Sequence, residues 1–175
     1  MKEFLRRSLR FLLTPVRHDY QRRNGVEGKE KRKEIPNEVL LGLAREMIAE
    51  GHAAIISVKG FSMRPFLENQ RDKVKIEPCT MVQENDAVLA ELDPGHFVLH
   101  RVIAVNDEKV TLMGDGNTCG TEECRLSDIA GIVTEYIRPH RTILASDKRL
   151  QRRIRLWRRL LPVRRYLLFV YKAIV

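Results

Sequence analysis

Between residues 53 and 137 the chain alternates short apolar runs with turn signals, too closely for helical crossovers. Candidate strands cover residues 53–58, 73–77, 87–92, 97–105, 109–113 and 129–137. Turns are marked by Asp93-Pro94-Gly95, Asn106-Asp107 and Gly114-Asp115-Gly116-Asn117. A parallel pair needs a connection of about a dozen residues or more, and several of these gaps are far shorter. The pattern predicts a mainly β domain, built as a bent antiparallel sheet or partial barrel, with amphipathic helices flanking it.

The clearest helix is expected over residues 37–50. Val39, Leu40, Leu43, Ala44, Met47 and Ile48 form one apolar stripe. Asn37 reads as the N-cap after Pro36, and Gly51 sits where a C-cap glycine belongs. A second helix is expected over residues 147–161, with Leu150, Ile154, Trp157 and Leu161 on one face and Arg152, Arg153, Arg155, Arg158 and Arg159 over much of the rest. Pro162 ends or kinks it. Residues 1–14 have the pattern of a short basic amphipathic helix, with Leu5, Leu9 and Leu12 at helical spacing and Pro15 behind it. Residues 21–34 read as a polar linker. The expected organisation is therefore a basic extension over 1–34, a β domain over 35–140, and a basic helical segment over 141–175.

Charge follows the same division. Residues 1–33 hold 11 Lys or Arg against 4 Asp or Glu, residues 34–139 hold 10 against 18, and residues 140–175 hold 11 against 1. An acidic body with two basic ends is drawn to anionic surfaces. Peripheral contact with a membrane is the expected use, through helices lying in the interface, and nucleic acid is the less favoured partner. No stretch of 18 apolar residues exists to span a bilayer, and the N-terminal residues lack the apolar core of a signal peptide. The expected location is the cytoplasm or the periphery of the cytoplasmic membrane. Three cysteines (Cys79, Cys119, Cys124) do not make a disulfide framework. Cys119 and Cys124 are spaced too widely for paired zinc ligands, with no histidine close by in sequence. No metal and no cofactor is expected.

Three compact motifs carry candidate chemistry. Ser62 lies in Gly60-Phe61-Ser62-Met63-Arg64-Pro65. Gly60 lets the backbone approach closely before it, Pro65 stiffens the chain after it, and the apolar Met63 is expected to pack under the serine; Gly60, Met63 and Pro65 are the candidate substrate contacts. A serine hydroxyl needs an adjacent base to become a nucleophile. His100, inside the apolar run Val98-Leu99-His100-Arg101-Val102, is the candidate base, and His96 is its only serious rival. Asp115 is the candidate acid to hold the imidazole tautomer. Glu122, Glu123 and Asp128 follow closely enough to take its place. Serine, histidine and acid in this order point to acyl transfer on a peptide.

These motifs together, over roughly residues 53–137, resemble the signal peptidase I superfamily, which also contains the self-cleaving repressor peptidases. The resemblance implies a mostly β catalytic domain and a serine endopeptidase acting on a precursor peptide or protein. In the bacterial branch a lysine stands at the position of His100. The endoplasmic-reticulum and archaeal branch pairs serine with histidine, and its Gly-Asp-Asn aspartate maps onto Asp115. The second acidic position of that branch falls near Gly120 and Thr121, with Glu122 and Glu123 just beyond. An apolar anchor usually precedes the serine motif; here the helix over 37–50 stands there. The alternatives are a repressor-type protease cleaving itself or a partner, and a catalytically inactive membrane-associated scaffold.

Overall fold

The computed structural model describes residues 36–174. The expected N-terminal helix and the whole of the expected linker lie outside them. Helix α1 (Asn37–Ala49) leads into strands β1 (Ala54–Ser57), β2 (Lys73–Glu77), β3 (Ala87–Asp93), β4 (His96–Asn106), β5 (Lys109–Met113), β6 (Glu122–Arg125), β7 (Ile129–Arg138) and β8 (Arg141–Leu144). Helices α2 (Lys148–Arg159) and α3 (Arg164–Ile174) follow, joined by a 3-10 turn over Leu161–Val163.

All pairings are antiparallel, in the order β1-β2-β7-β3-β4-β5-β6. The sheet is open, because β1 and β6 stand at its two ends. Strand β7 is the hinge of the architecture. It pairs with β2 along one edge, and β3 and β8 share the other. Register shifts in β2–β7, β3–β7, β3–β4 and β4–β5 mark bulges, which bend and twist strands locally.

Strand β3 reads as an unbroken apolar run because both of its faces are covered. Ala87 and Leu89 join the main core, while Val88 and Ala90 join a second cluster; neighbouring side chains on a strand point to opposite faces. The main core also takes Leu41, Ala44 and Ile48 from α1 and Leu150 and Ile154 from α2. The second cluster takes Val102, Val110, Leu112 and Cys124. The basic C-terminal segment therefore packs on the body: β8 extends the sheet and α2 helps to close the core.

The two ends of α1 are capped differently. Gly51 adopts φ 90° and the Gly51 and His52 amides donate to Ile48 and Met47 carbonyls, as a helix-ending glycine should. Asn37, expected as the N-cap, is instead the first helical residue. Pro36 takes the cap position, with extended backbone and no side-chain cap bond, and its carbonyl accepts the Leu40 amide at 3.2 Å.

Candidate active site

Ser62 sits in a loop between β1 and β2 that is anchored from below. Met63, Phe66 and Leu67 are buried in the main core. The Met63 carbonyl accepts the Phe66 and Leu67 amides, each at 3.0 Å. Further along, the buried Asp72 carboxylate accepts the Glu68 amide (2.9 Å) and Arg71 (2.8 Å). Burial opposes ionisation of Asp72, yet Arg71 and the Glu68 amide outweigh it and hold the carboxyl below its usual range.

The serine turn is laced onto the turn after β5. The Ser62 carbonyl accepts the Gly116 amide at 2.7 Å. Glycine is required on the facing turn. A Cβ at Gly114 would lie 2.6 Å from the Ser62 carbonyl oxygen, and one at Gly116 would lie 2.5 Å from that of Phe61. With its carbonyl engaged, Ser62 keeps both its hydroxyl and its amide free of hydrogen bonds among the described residues. A backbone amide left free in this way can donate to a developing oxyanion.

His100 lies on β4 opposite Val88 of β3, and its side chain is 7% exposed. Its Nδ1 meets the Glu122 carboxylate on β6. A neutral imidazole that donates to this carboxylate holds its proton on Nδ1, which leaves the lone pair on Nε2. Nε2 has no partner among the described residues, and neither it nor the Ser62 hydroxyl is among the buried unsatisfied atoms.

Asp115 does not fill the expected role. Its carboxylate is turned to Arg101, the neighbour of His100 on the opposite face of β4, with Nη2 to Oδ2 at 2.5 Å. Both side chains are 1% exposed. Arg101 also donates to the Tyr136 hydroxyl at 3.1 Å and the Asn85 carbonyl at 2.9 Å. Burial disfavours the guanidinium charge, but Asp115 outweighs it and holds Arg101 protonated well above its ordinary value. The acid at the imidazole is Glu122, because residues 100 and 101 face opposite sides of the sheet and the 114–117 turn lies on the Arg101 side. In the sequence, Glu122 is one of three acids that follow Asp115 closely, and it stands just beyond the second acidic position of the resembling branch.

The remaining candidates divide. Gly60 adopts φ 88° and its amide donates to the Asn69 side chain at 3.0 Å. Met63, expected to touch substrate, is 2% exposed and belongs to the core; it anchors the turn. Pro65 lines a cleft of about 530 Å³ with Phe66, Trp157, Leu160 and the arginines 138, 141, 149 and 153 among others. This cleft contains neither Ser62 nor His100 in its wall. His96 is largely exposed, with Asp93 beside it at 3.7 Å. Ser62 and His100 are not hydrogen-bonded to each other: the serine turn rests on the turn that carries Asp115, the partner of Arg101, whereas His100 points to the other face of β4. Gly114, against which the Ser62 carbonyl packs, directly follows Met113, and Met113 is the register partner of Arg101. No protein-family model and no curated protein matches the chain.

Proposed function

We propose that the protein is a serine endopeptidase of the signal peptidase type, in which Ser62 attacks, His100 acts as base and Glu122 orients the imidazole. The Ser62 hydroxyl adds to the scissile carbonyl and passes its proton to His100 Nε2. The tetrahedral oxyanion draws on the Ser62 amide. Collapse breaks the C–N bond, and the imidazolium returns its proton to the leaving amine. Water, deprotonated by the same Nε2, then hydrolyses the acyl ester and frees Ser62. Throughout, the Glu122 carboxylate keeps Nδ1 protonated and stabilises the imidazolium. Arg101 and Asp115 are positioning residues: they tie the middle of β4 to the turn on which the serine loop rests.

What supports this reading is a buried imidazole with a carboxylate on Nδ1 and no partner on Nε2 among the described residues, together with a Ser62 hydroxyl and amide that are free of hydrogen bonds among them. Substrate is expected to pair in extended form with an exposed strand edge. The test is mass spectrometry of peptides from cells carrying Ser62→Ala, His100→Ala or the wild-type chain. Both variants should accumulate the same uncleaved precursors. Peptide pools indistinguishable from wild type would overturn the reading.

A further inference from the structure

The last helix keeps its most apolar face uncovered. At 100° per residue, α3 divides into three faces. Arg164, Leu168 and Tyr171 form the docked face. Arg164 and Leu168 are buried, Arg164 donates to the Asn117 carbonyl at 2.9 Å, and Tyr171 donates to Glu68 at 2.8 Å. Arg165 and Lys172 form a basic strip beside it. Tyr166, Leu167, Phe169, Val170, Ala173 and Ile174 share the remaining arc, about 160° wide. Its five large residues are between 38% and 78% exposed. Eight of the twelve exposed large hydrophobic residues among the described residues lie from Leu156 onward. Such a concentration marks an interaction surface.

The charge around this arc selects its occupant. Residues 140–175 contain 11 Lys or Arg and a single acid. Arg138, Arg141, Arg149 and Arg153, gathered around the cleft beside α2, have no ion pair among the described residues. We infer that α3 lies in the plane of an anionic bilayer, with its apolar arc among the acyl-chain ends and its basic strip, with the unpaired arginines nearby, on the lipid phosphates. An interface of this kind offers apolar depth and negative charge together. Nucleic acid satisfies the arginines but gives Phe169, Val170 and Ile174 nothing to bury against. A second copy of this surface, or residues 1–33 with their own basic excess, would bring like charge to like. No helix among the described residues is long and apolar enough to cross a membrane, so the attachment is in-plane. It reaches the serine turn through Tyr171, Glu68 and Arg64, whose guanidinium lies 4.2 Å from the centre of the Phe61 ring. The inference itself does not depend on the peptidase reading.

The full-length protein should be sedimented with phosphatidylcholine vesicles, with and without phosphatidylglycerol. Wild type should pellet with the anionic vesicles and stay in solution with the neutral ones. The doubly substituted Phe169→Glu, Val170→Glu protein should lose at least about tenfold in vesicle affinity, with an unchanged melting temperature because both side chains are exposed. Arg165→Glu with Lys172→Glu should lose about 30-fold or more on anionic vesicles. Three results would each overturn the inference. One is wild type remaining in solution with both vesicles. Another is Phe169→Glu, Val170→Glu binding like wild type and being displaced by duplex DNA, which assigns the surface to nucleic acid. The third is wild type sedimenting as a dimer that the apolar substitutions dissociate, or binding vesicles only once residues 1–35 are deleted, either of which shows the arc to be covered by protein.

Discussion

Asp115→Asn and Glu122→Gln each remove one carboxylate charge, and they should damage different properties. Asp115 and Arg101 are both 1% exposed, and the guanidinium has no other anion within bonding distance among the described residues. Leaving such a charge buried and unpaired costs about 3–5 kcal/mol. Asparagine keeps the shape and one acceptor, which puts the loss near the low end, about 3 kcal/mol. For a chain of this size 1 kcal/mol moves the melting temperature by roughly 2–4 °C, so Asp115→Asn should melt about 6–12 °C lower. Glu122 is 37% exposed, and loss of a partly solvated pair costs under about 1 kcal/mol. Its melting shift should therefore stay within roughly 2–4 °C. Activity should run the other way. Without a carboxylate on Nδ1 the imidazole loses its tautomer preference and its charge support, an effect worth roughly 10²–10⁴ in kcat. The assay is thermal denaturation beside peptide cleavage at a temperature where both variants are folded. If Asp115→Asn melts with wild type but is dead, while Glu122→Gln cleaves normally, the assignment of the two carboxylates is reversed and the argument fails.

Gly116→Ala forces a methyl group to 2.5 Å from the Phe61 carbonyl, so the serine turn must move. A displacement of about 1 Å at a nucleophile costs roughly 100-fold, and kcat/KM equal to wild type would show that the turn tolerates it. Burial pushes the Cys124 thiol up to about 11, whereas Cys119 is exposed. Because the thiolate is the reactive form, iodoacetamide at pH 8 should label Cys119 in the native protein and Cys124 only after unfolding, as read by peptide mass spectrometry. The Asp72 carboxyl is held below its unfolded value. Its contribution to stability is thus complete above about pH 4, the unfolded pKa, and is lost as pH falls through the lower native value. Urea unfolding at pH 6 and pH 3 should show a shallower acid loss for Asp72→Asn than for wild type; equal losses would exclude the linkage.

The pattern of apolar runs and turn residues carried most of the β architecture. The strands over 73–77 and 109–113 fall where alternation put them, and Gly51 ends α1 because its left-handed backbone suits glycine. What alternation missed were the two short, polar strands. In β6, Glu-Glu-Cys-Arg, only Cys124 is buried, and in β8 no residue is. Four residues held mainly by ladder hydrogen bonds leave little trace in hydropathy. The missed β6 is also why the acid was misjudged. Glu122 reaches His100 only because β6 pairs with β5, a tertiary contact. Asp115 was legible as a carboxylate near the base, but Arg101 stands beside His100 in sequence, and nothing local says which of two neighbours facing opposite ways a distant carboxylate will meet. For Met63 the expected packing under the serine is found, and it is the expected substrate contact that its 2% exposure excludes.

The central claim is that Ser62 becomes acylated with His100 as its base. The direct measurement is intact-mass analysis of the protein quenched in acid during reaction with an activated ester of a cleaved peptide. A single acyl adduct mapping to Ser62, absent from Ser62→Ala and much slower to form in His100→Ala, is the predicted result. An adduct on any other residue, or equal rates of acylation with and without the imidazole, would contradict the account.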